Sequence, residues 1–266
     1  MKNAIILADS LNTATGDRLT TFLLPRFPKC LLAELNTHRV FSRSAASSRA
    51  IPVKKMVERI YEDPYFPSFR KNKRGMQGES LHESVKIKAE RFWNIAMSEA
   101  IECAIELDEL GVHKDMANRL LEPFMRVPVV VSSTEWENFF DLRCSPMANP
   151  DFEEVAREME ESRLTNIPWH LDPGQWHIPF KPEDENELLR QLERSAACAA
   201  RTSYANHDGT EPNYEKDKAL HDMLLKEKHM SPFEHQAVAM TWEKDWCKNF
   251  RGFRQYRDFI EKGEKL

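Results

Sequence analysis

The densest concentration of chemically able residues is the run Thr37-His38-Arg39-Val40-Phe41-Ser42-Arg43-Ser44-Ala45-Ala46-Ser47-Ser48-Arg49. Three arginines, one histidine and five hydroxyl-bearing residues crowd into it. A guanidinium offers paired planar donors that match a phosphate. Serine hydroxyls and backbone N–H groups add the short donors that line anion nests. Residue types alone leave two readings open: a phosphate site, or a polar turn after a helix. Two further arginines stand out, Arg119 in Asn118-Arg119-Leu120-Leu121-Glu122-Pro123 and Arg143 at the end of Trp136-Glu137-Asn138-Phe139-Phe140-Asp141-Leu142-Arg143. His229 and His235 bracket Met230-Ser231-Pro232-Phe233-Glu234. Their spacing is not the i, i+4 pairing of a helical metal site, so no metal is expected.

These residues need elements to position them. Residues 4–8 and 19–24 read as short strands, the second ended by Pro25 and Pro28. Residues 30–43 carry Leu31, Leu32, Leu35 and Val40 at helical spacing after a proline start. Residues 51–78 show little periodicity and end in a basic run, 71–78, which is a solvated loop or one that closes over an anion. Residues 80–110 give the longest helical signal, with Leu81, Val85, Phe92, Ala96, Cys103 and Leu107 expected in the core and Gly111 at the C-cap. Residues 114–121 read as helical and 127–131 as a buried strand. Ser132-Ser133-Thr134-Glu135 is a capping-box pattern opening a helix over 136–143. Asn149-Pro150 caps another over 152–162. After a Pro/Trp-rich loop at 167–180 come helices over 182–201 and 214–229, a strand over 238–242 and a helix over 250–260. The expected fold is α+β: a helix-rich single domain with a small antiparallel sheet.

Composition narrows the function. The chain has 266 residues, 41% of them hydrophobic, enough for one substantial core. Its net charge of −5 disfavours nucleic acid as a partner while permitting a local basic pocket. Only 8 glycines are present, with no dinucleotide or Walker motif, so side chains must hold any nucleotide. The five cysteines, Cys30, Cys103, Cys144, Cys198 and Cys247, are scattered without a Cys-x-x-Cys pair. They fit reduced thiols of a cytoplasmic protein. No apolar run approaches the roughly 20 residues of a membrane span, and the N-terminus reads as a strand and not a signal peptide.

The blocks resemble those of the flavin-dependent thymidylate synthases. His38-Arg39, then seven residues, then Ser47 matches most of the family's Arg-His-Arg-x7-Ser signature, and Ser47-Ser48-Arg49 resembles its Ser-x-Arg end. Residues 118–123 resemble the Ala-Arg-x-x-Leu-Pro block, and residues 136–143 the Asn-Phe-x-x-Leu-Arg block. Ala199-Ala200-Arg201-Thr202-Ser203-Tyr204 resembles Ala-Arg-x-Ser, and residues 229–235 resemble His-x-[Ser/Thr]-Pro-Phe-Glu-His. The last two blocks come first in common members. The chain therefore resembles a circularly permuted, phage-like form: one domain over 1–266, with the signature and Leu-Arg blocks in 1–165 and the others in 190–266. Surface termini lying close together permit such rearrangement. Thr241-Trp242 leading to Phe253-Arg254-Gln255-Tyr256-Arg257 is a partial duplicate of the signature region or an ordinary amphipathic helix.

The resemblance implies reductive methylation of dUMP to dTMP. Bound FAD passes a hydride, methylenetetrahydrofolate supplies the carbon, NADPH reduces the flavin, and the enzyme, a methyltransferase, is a homotetramer. Arg143 is implied to hold the uracil and stabilise ring charge. Ser47, Ser48, Arg49 and Arg119 are implied to bind dUMP, with Glu34 where the family has a glutamine. Thr37, His38, Arg39, Asn138, Ser203, His229, Ser231 and Glu234 are implied around FAD. No cysteine nucleophile is implied, and Cys144 reads as structural. There are departures: Thr37 replaces an arginine, Ala45 a glutamate, Met147 a histidine and Ser132 an asparagine. They leave room for a hydroxymethylating enzyme on the same scaffold or a non-catalytic nucleotide or flavin binder. Lost flavin contacts have three candidate replacements: Arg43, the 71–78 loop, or Arg254 with Arg257.

Overall fold

The computed structural model describes residues 2–45, 51–74, 78–181, 185–202, 213–241 and 246–264. Strands β1 (Ile5–Asn12) and β2 (Arg18–Pro28) form an antiparallel hairpin in which Ile5 faces Leu23 and Leu11 faces Arg18. Their turn uses Gly16 at φ 79°, a left-handed conformation that costs glycine nothing in Cβ contact. β3 (Ser42–Ala45) and β4 (Arg126–Ser133) pair antiparallel, and β4 pairs antiparallel with β2. β5 (Trp169–Leu171) runs parallel to β1. The sheet order is β3-β4-β2-β1-β5. The architecture is α+β, with a sheet larger than the sequence suggests and one parallel pairing in it.

Pro25 fails to end β2, which runs on to Pro28. The register shifts between Leu24 and Phe27, so Pro25 falls in a bulge, where a missing N–H is tolerated. β1 pairs no further than Leu23, so beyond that point β2 needs hydrogen bonds on one side only.

The helix expected over 30–43 is also corrected. A 3-10 turn (Lys29–Leu31) leads into α1 (Leu32–Leu35), one turn long, and residues 42–45 instead form β3. Pairing with β4 outcompetes helical spacing there. α2 (Val53–Glu62) lies where little periodicity was visible, with Val53, Met56, Val57 and Ile60 buried. α3 (Glu83–Glu109) forms as expected but turns a different face inward. Met97, Ile101 and Ala104 are buried, while Phe92 is 70% exposed and Val85, Ile95 and Cys103 are also exposed.

α4 (Lys114–Ala117) continues into a 3-10 segment, Asn118–Phe124. α5 (Glu137–Arg143) forms without the expected capping box: Ser132 and Ser133 belong to β4, and Ser133 Oγ accepts from the Glu135 N–H at 2.9 Å. α6 (Pro150–Thr165) is capped as the sequence predicts, Asn149 Oδ1 accepting from the Asp151 and Phe152 N–H groups at 3.0 and 3.3 Å.

The C-terminal third contributes β6 (Trp176–His177), α7 (Leu188–Arg201), α8 (Tyr214–Lys226), a 3-10 turn (Ser231–Glu234) and β7 (Ala237–Ala239). It ends in β8 (Trp246–Cys247), β9 (Phe250–Arg251), β10 (Phe253–Gln255) and α9 (Tyr256–Lys262). The helix expected over 250–260 is thus half strand, because β10 pairs with β7.

The two faces of the main sheet differ. Phe22, Leu24, Val129 and Val131 pack into the large core with Phe41, Trp136, Phe139 and Phe152. Phe22 and Trp136 meet edge-on at 5.2 Å between centroids. The opposite face carries hydroxyls and receives the C-terminal third. Ser10 contacts His177 Nδ1 at 2.8 Å, and His177 Nε2 contacts Thr21 Oγ1 at 2.8 Å. Thr21 contacts Ser132 at 2.7 Å, Ser132 contacts His235 Nδ1 at 2.8 Å, and His235 Nε2 contacts Ser44 at 3.0 Å. Every hydroxyl along this buried chain can donate once and accept once, so all its links are satisfied in one direction. Burial depresses both imidazoles to a pKa of about 3, keeping them neutral.

Candidate functional site

α5 is anchored by its aromatic face. Phe139 and Phe140 are buried, and the fully buried Trp136 donates its indole N–H to the Ser133 carbonyl at 2.8 Å. Arg143 closes the helix, where a cation suits the dipole. It meets the turn after α1. There the Thr37 and His38 N–H groups donate to the Glu34 and Leu35 carbonyls, each at 3.2 Å. Arg43, reaching from β3, donates to the Leu35 and His38 carbonyls at 3.3 and 3.2 Å.

Arg143 spends its donors on that turn. Nε donates to His38 Nε2 at 3.0 Å, and Nη1 donates to Glu34 Oε2 at 3.1 Å. Nη2 donates to the Glu34 carbonyl and to Thr37 Oγ1, each at 3.2 Å. The guanidinium also lies 4.7 Å from the Phe152 ring centre. Burial, then the charges of Arg143 and Arg43, depress His38 to a pKa of about 4. His38 is therefore neutral near pH 7. Since its Nε2 accepts from Arg143, its proton sits on Nδ1. The ring stacks on Phe41 and meets Phe139 edge-on.

Beside this cluster lies a cleft of about 580 Å³, lined by Thr37, His38, Arg39, Asn138, Glu137 and Trp246 among others. That volume is ordinary for a small-molecule site. Arg39 and Asn138 are exposed there, and Arg39 makes no ion pair with the described residues. Arg143 is not itself among the described residues lining the cleft; it fixes the turn that presents Thr37, His38 and Arg39 to it.

Comparison with known proteins gives the family. The family model for thymidylate synthase complementing proteins matches residues 19–169, more than half of the chain. The chain belongs to the thymidylate synthase complementing protein family. It is therefore a thymidylate synthase-type enzyme, a methyltransferase. The match spans β2 through the start of β5, with Glu34, His38 and Arg143 inside it. No curated protein matches. Among solved structures, the chain is similar to a UMP/dUMP methylase, PolB from Streptomyces cacaoi, bound with 5-Br UMP: 19% identity, 55% of this chain and 68% of that one, TM-score 0.42. PolB bound with 5-Br dUMP gives 20% identity, 55% and 65% coverage and a TM-score of 0.44. This chain thus spans about two thirds of each PolB chain.

Within this family member, the blocks converge in part. Glu34, Thr37 and His38 meet Arg143 directly, while Arg39 and Asn138 share the cleft. Glu34, a repulsive neighbour for a phosphate, is paired with Arg143. Glu234 pairs with Arg257; burial lowers the pKa of Arg43, and the charge of Glu234 partly offsets that, which links it to the turn from the other side. His229 pairs with Glu227 at 3.2 Å, and Ser231 is exposed; neither is among the described residues lining the cleft. Arg119 is exposed on its 3-10 segment, its charge felt by Lys29 and Asp115, and is not among Arg143's partners. Ser47, Ser48, Arg49 and Ser203 lie outside the described residues.

Arg254 and Arg257 are held in ion pairs with Asp258, Glu264, Glu234 and Glu261. Burial and Glu160 push the Cys144 thiol up to about 12, which keeps it protonated and poorly nucleophilic. His235 engages both ring nitrogens with serines and has none left for a metal. Glu193, His221 and Asp222 do gather their ligand atoms within 4.8 Å, but Lys218 already pairs with both carboxylates. Among the described residues, no helix is long and apolar enough to cross a membrane. Sequence reasoning missed Glu137, Phe152 and Trp246 at the site, since only tertiary packing brings them there.

Proposed function

We propose that this enzyme methylates dUMP to dTMP, using methylenetetrahydrofolate as carbon donor and NADPH as reductant through bound FAD. The observation that carries the reading is Arg143 fixed by Glu34, Thr37 and His38, which joins two of the family's blocks in one cluster. Exchanging a ring hydrogen for carbon builds negative charge on the pyrimidine. Four of the guanidinium's five N–H donors are committed to the turn, which orients the remaining Nη1 N–H as the one to meet that charge. Neutral His38 supports this role, because its Nε2 lone pair accepts from Arg143 and holds the guanidinium in place.

The cleft suits a flavin: Arg39 offers a cation, Asn138 an amide and His38 an aromatic wall. His38, Arg39, Thr37 and Asn138 would hold the group, which supplies a hydride when bound. Glu234, Ser231, His229 and Ser203 belong to the same expected set, and Ser47, Ser48, Arg49 and Arg119 to the nucleotide set. A permuted single domain accords with the packing of the C-terminal third on the hydroxyl face of the sheet. The exposed Val85, Phe92 and Ile95 on α3 support burial between subunits, and so the homotetramer.

Anaerobic mixing tests the reading. Enzyme with reduced FAD should regain oxidised-flavin absorbance only when dUMP and methylenetetrahydrofolate are both added. Reoxidation that ignores dUMP would overturn it.

A further inference from the structure

One wall of the cleft comes from outside the family match. Trp246, at the start of β8, lines the cleft together with His38, Arg39 and Asn138. It lies beyond residues 19–169, in a segment that none of the family blocks contains. It is 44% exposed, which leaves its ring open to the cleft.

The indole is nonetheless held in place. The β8–β9 hairpin sets Trp246 opposite Arg251 and Cys247 opposite Phe250. Phe250 is fully buried and packs with Leu19 and Phe253. The Arg251 guanidinium lies 4.8 Å from the centre of the Trp246 ring. Arg251 in turn pairs with Glu135 at 3.4 Å, and its backbone N–H donates to Thr134 Oγ1 at 3.1 Å. Gly252, at φ 64°, seats the end of the hairpin on the β1–β2 turn, where a Cβ would fall on the side chains of Asp17 and Thr15. Anchored hairpin, covering cation and tether to the segment before α5 together hold an aromatic ring ready at the cleft. Such a ring loses little entropy on stacking with a planar ligand.

We propose that Trp246 is a cofactor-contacting residue: its indole stacks on the planar ring system of the flavin, with Arg251 and Glu135 as positioning residues. This rests on the reading of the cleft as the FAD site. It makes the C-terminal hairpin part of the cofactor pocket and ties cofactor affinity to a residue outside the family match.

Titration of the purified full-length chain with FAD, read by quenching of flavin fluorescence, tests it. Trp246→Ala should raise the FAD dissociation constant about tenfold, the upper end of what one aromatic pair contributes. Trp246→Phe should stay within about threefold, with the thermal midpoint of both apo variants close to wild type. Equal FAD affinity in Trp246→Ala and wild type would overturn the inference alone. So would equal losses in the Phe and Ala variants, since a phenyl ring still stacks. A wild-type chain that binds no FAD would overturn the flavin reading and this inference with it.

Discussion

Replacing Arg143 with alanine removes four hydrogen bonds and a cation–ring contact at once. The cost to the fold follows from exposure. Arg143's side chain is 12% exposed and Glu34's 31%, so the pair lies between a buried ion pair and a surface one. Breaking a buried pair costs about 3–5 kcal/mol and a surface pair about 0–1. Glu34 can rehydrate, which places the loss at about 1–3 kcal/mol and the fall in thermal midpoint at roughly 3–10 °C. The cost to catalysis is larger, because a fixed donor facing developing charge contributes about 10²–10³-fold in rate. Arg143→Ala should therefore remain folded and lose at least that factor in dTMP formation under saturating substrates. His38 should report the change independently. With the second-largest cause of its depression gone, its pKa should rise from about 4 toward 6.5, read by NMR titration of the imidazole. A folded Arg143→Ala enzyme turning over within tenfold of wild type would refute the reasoning.

Other perturbations probe the scaffold and the nucleotide. Thr21→Val keeps the volume but cuts the hydroxyl–imidazole chain between His177 and Ser132; it should cost about 1–3 kcal/mol in urea unfolding, with Thr21→Ser recovering most of it. Asn149→Ala removes the cap of α6 and should cost about 1 kcal/mol, with no change in the dissociation constant for dUMP. His38, His177 and His235 resist protonation in the fold until about pH 4, 3 and 3, whereas the unfolded chain takes up protons from about 6.5 downward. The unfolded state then binds more protons, so their share of the stability is full above pH 6.5 and falls as pH drops through that window; a urea midpoint equal at pH 7 and pH 5 would contradict this. Arg49→Ala should mainly weaken dUMP binding, measured by calorimetry, and unchanged affinity would remove its assignment.

What the sequence could disclose depended on how local the determinants were. α6 was legible because Asn149 and Pro150 form a cap from adjacent residues. β1, β4 and α3 were legible from their periodicity, but the inward face of α3 was not, since Phe92 and Met97 compete for burial and only the neighbouring 3-10 segment and core decide. β3 and β10 were misread as helix because pairing with β4 and β7 overrides their helical spacing. At the site, motif blocks brought Thr37, His38 and Arg143 to attention. The pairing of Glu34 with Arg143 was invisible, as it joins residues 109 positions apart. Trp246 lay in a stretch without any block, and only the fold carries it to the cleft.

The most direct test of the account is the mass of the nucleotide product. With FAD, NADPH, methylenetetrahydrofolate and dUMP supplied together, the enzyme should convert dUMP to a nucleotide heavier by one methylene unit, identical to dTMP, and omission of any one component should abolish it. A hydroxymethylated nucleotide, or dUMP returned unchanged by a folded, flavin-loaded enzyme, would contradict it.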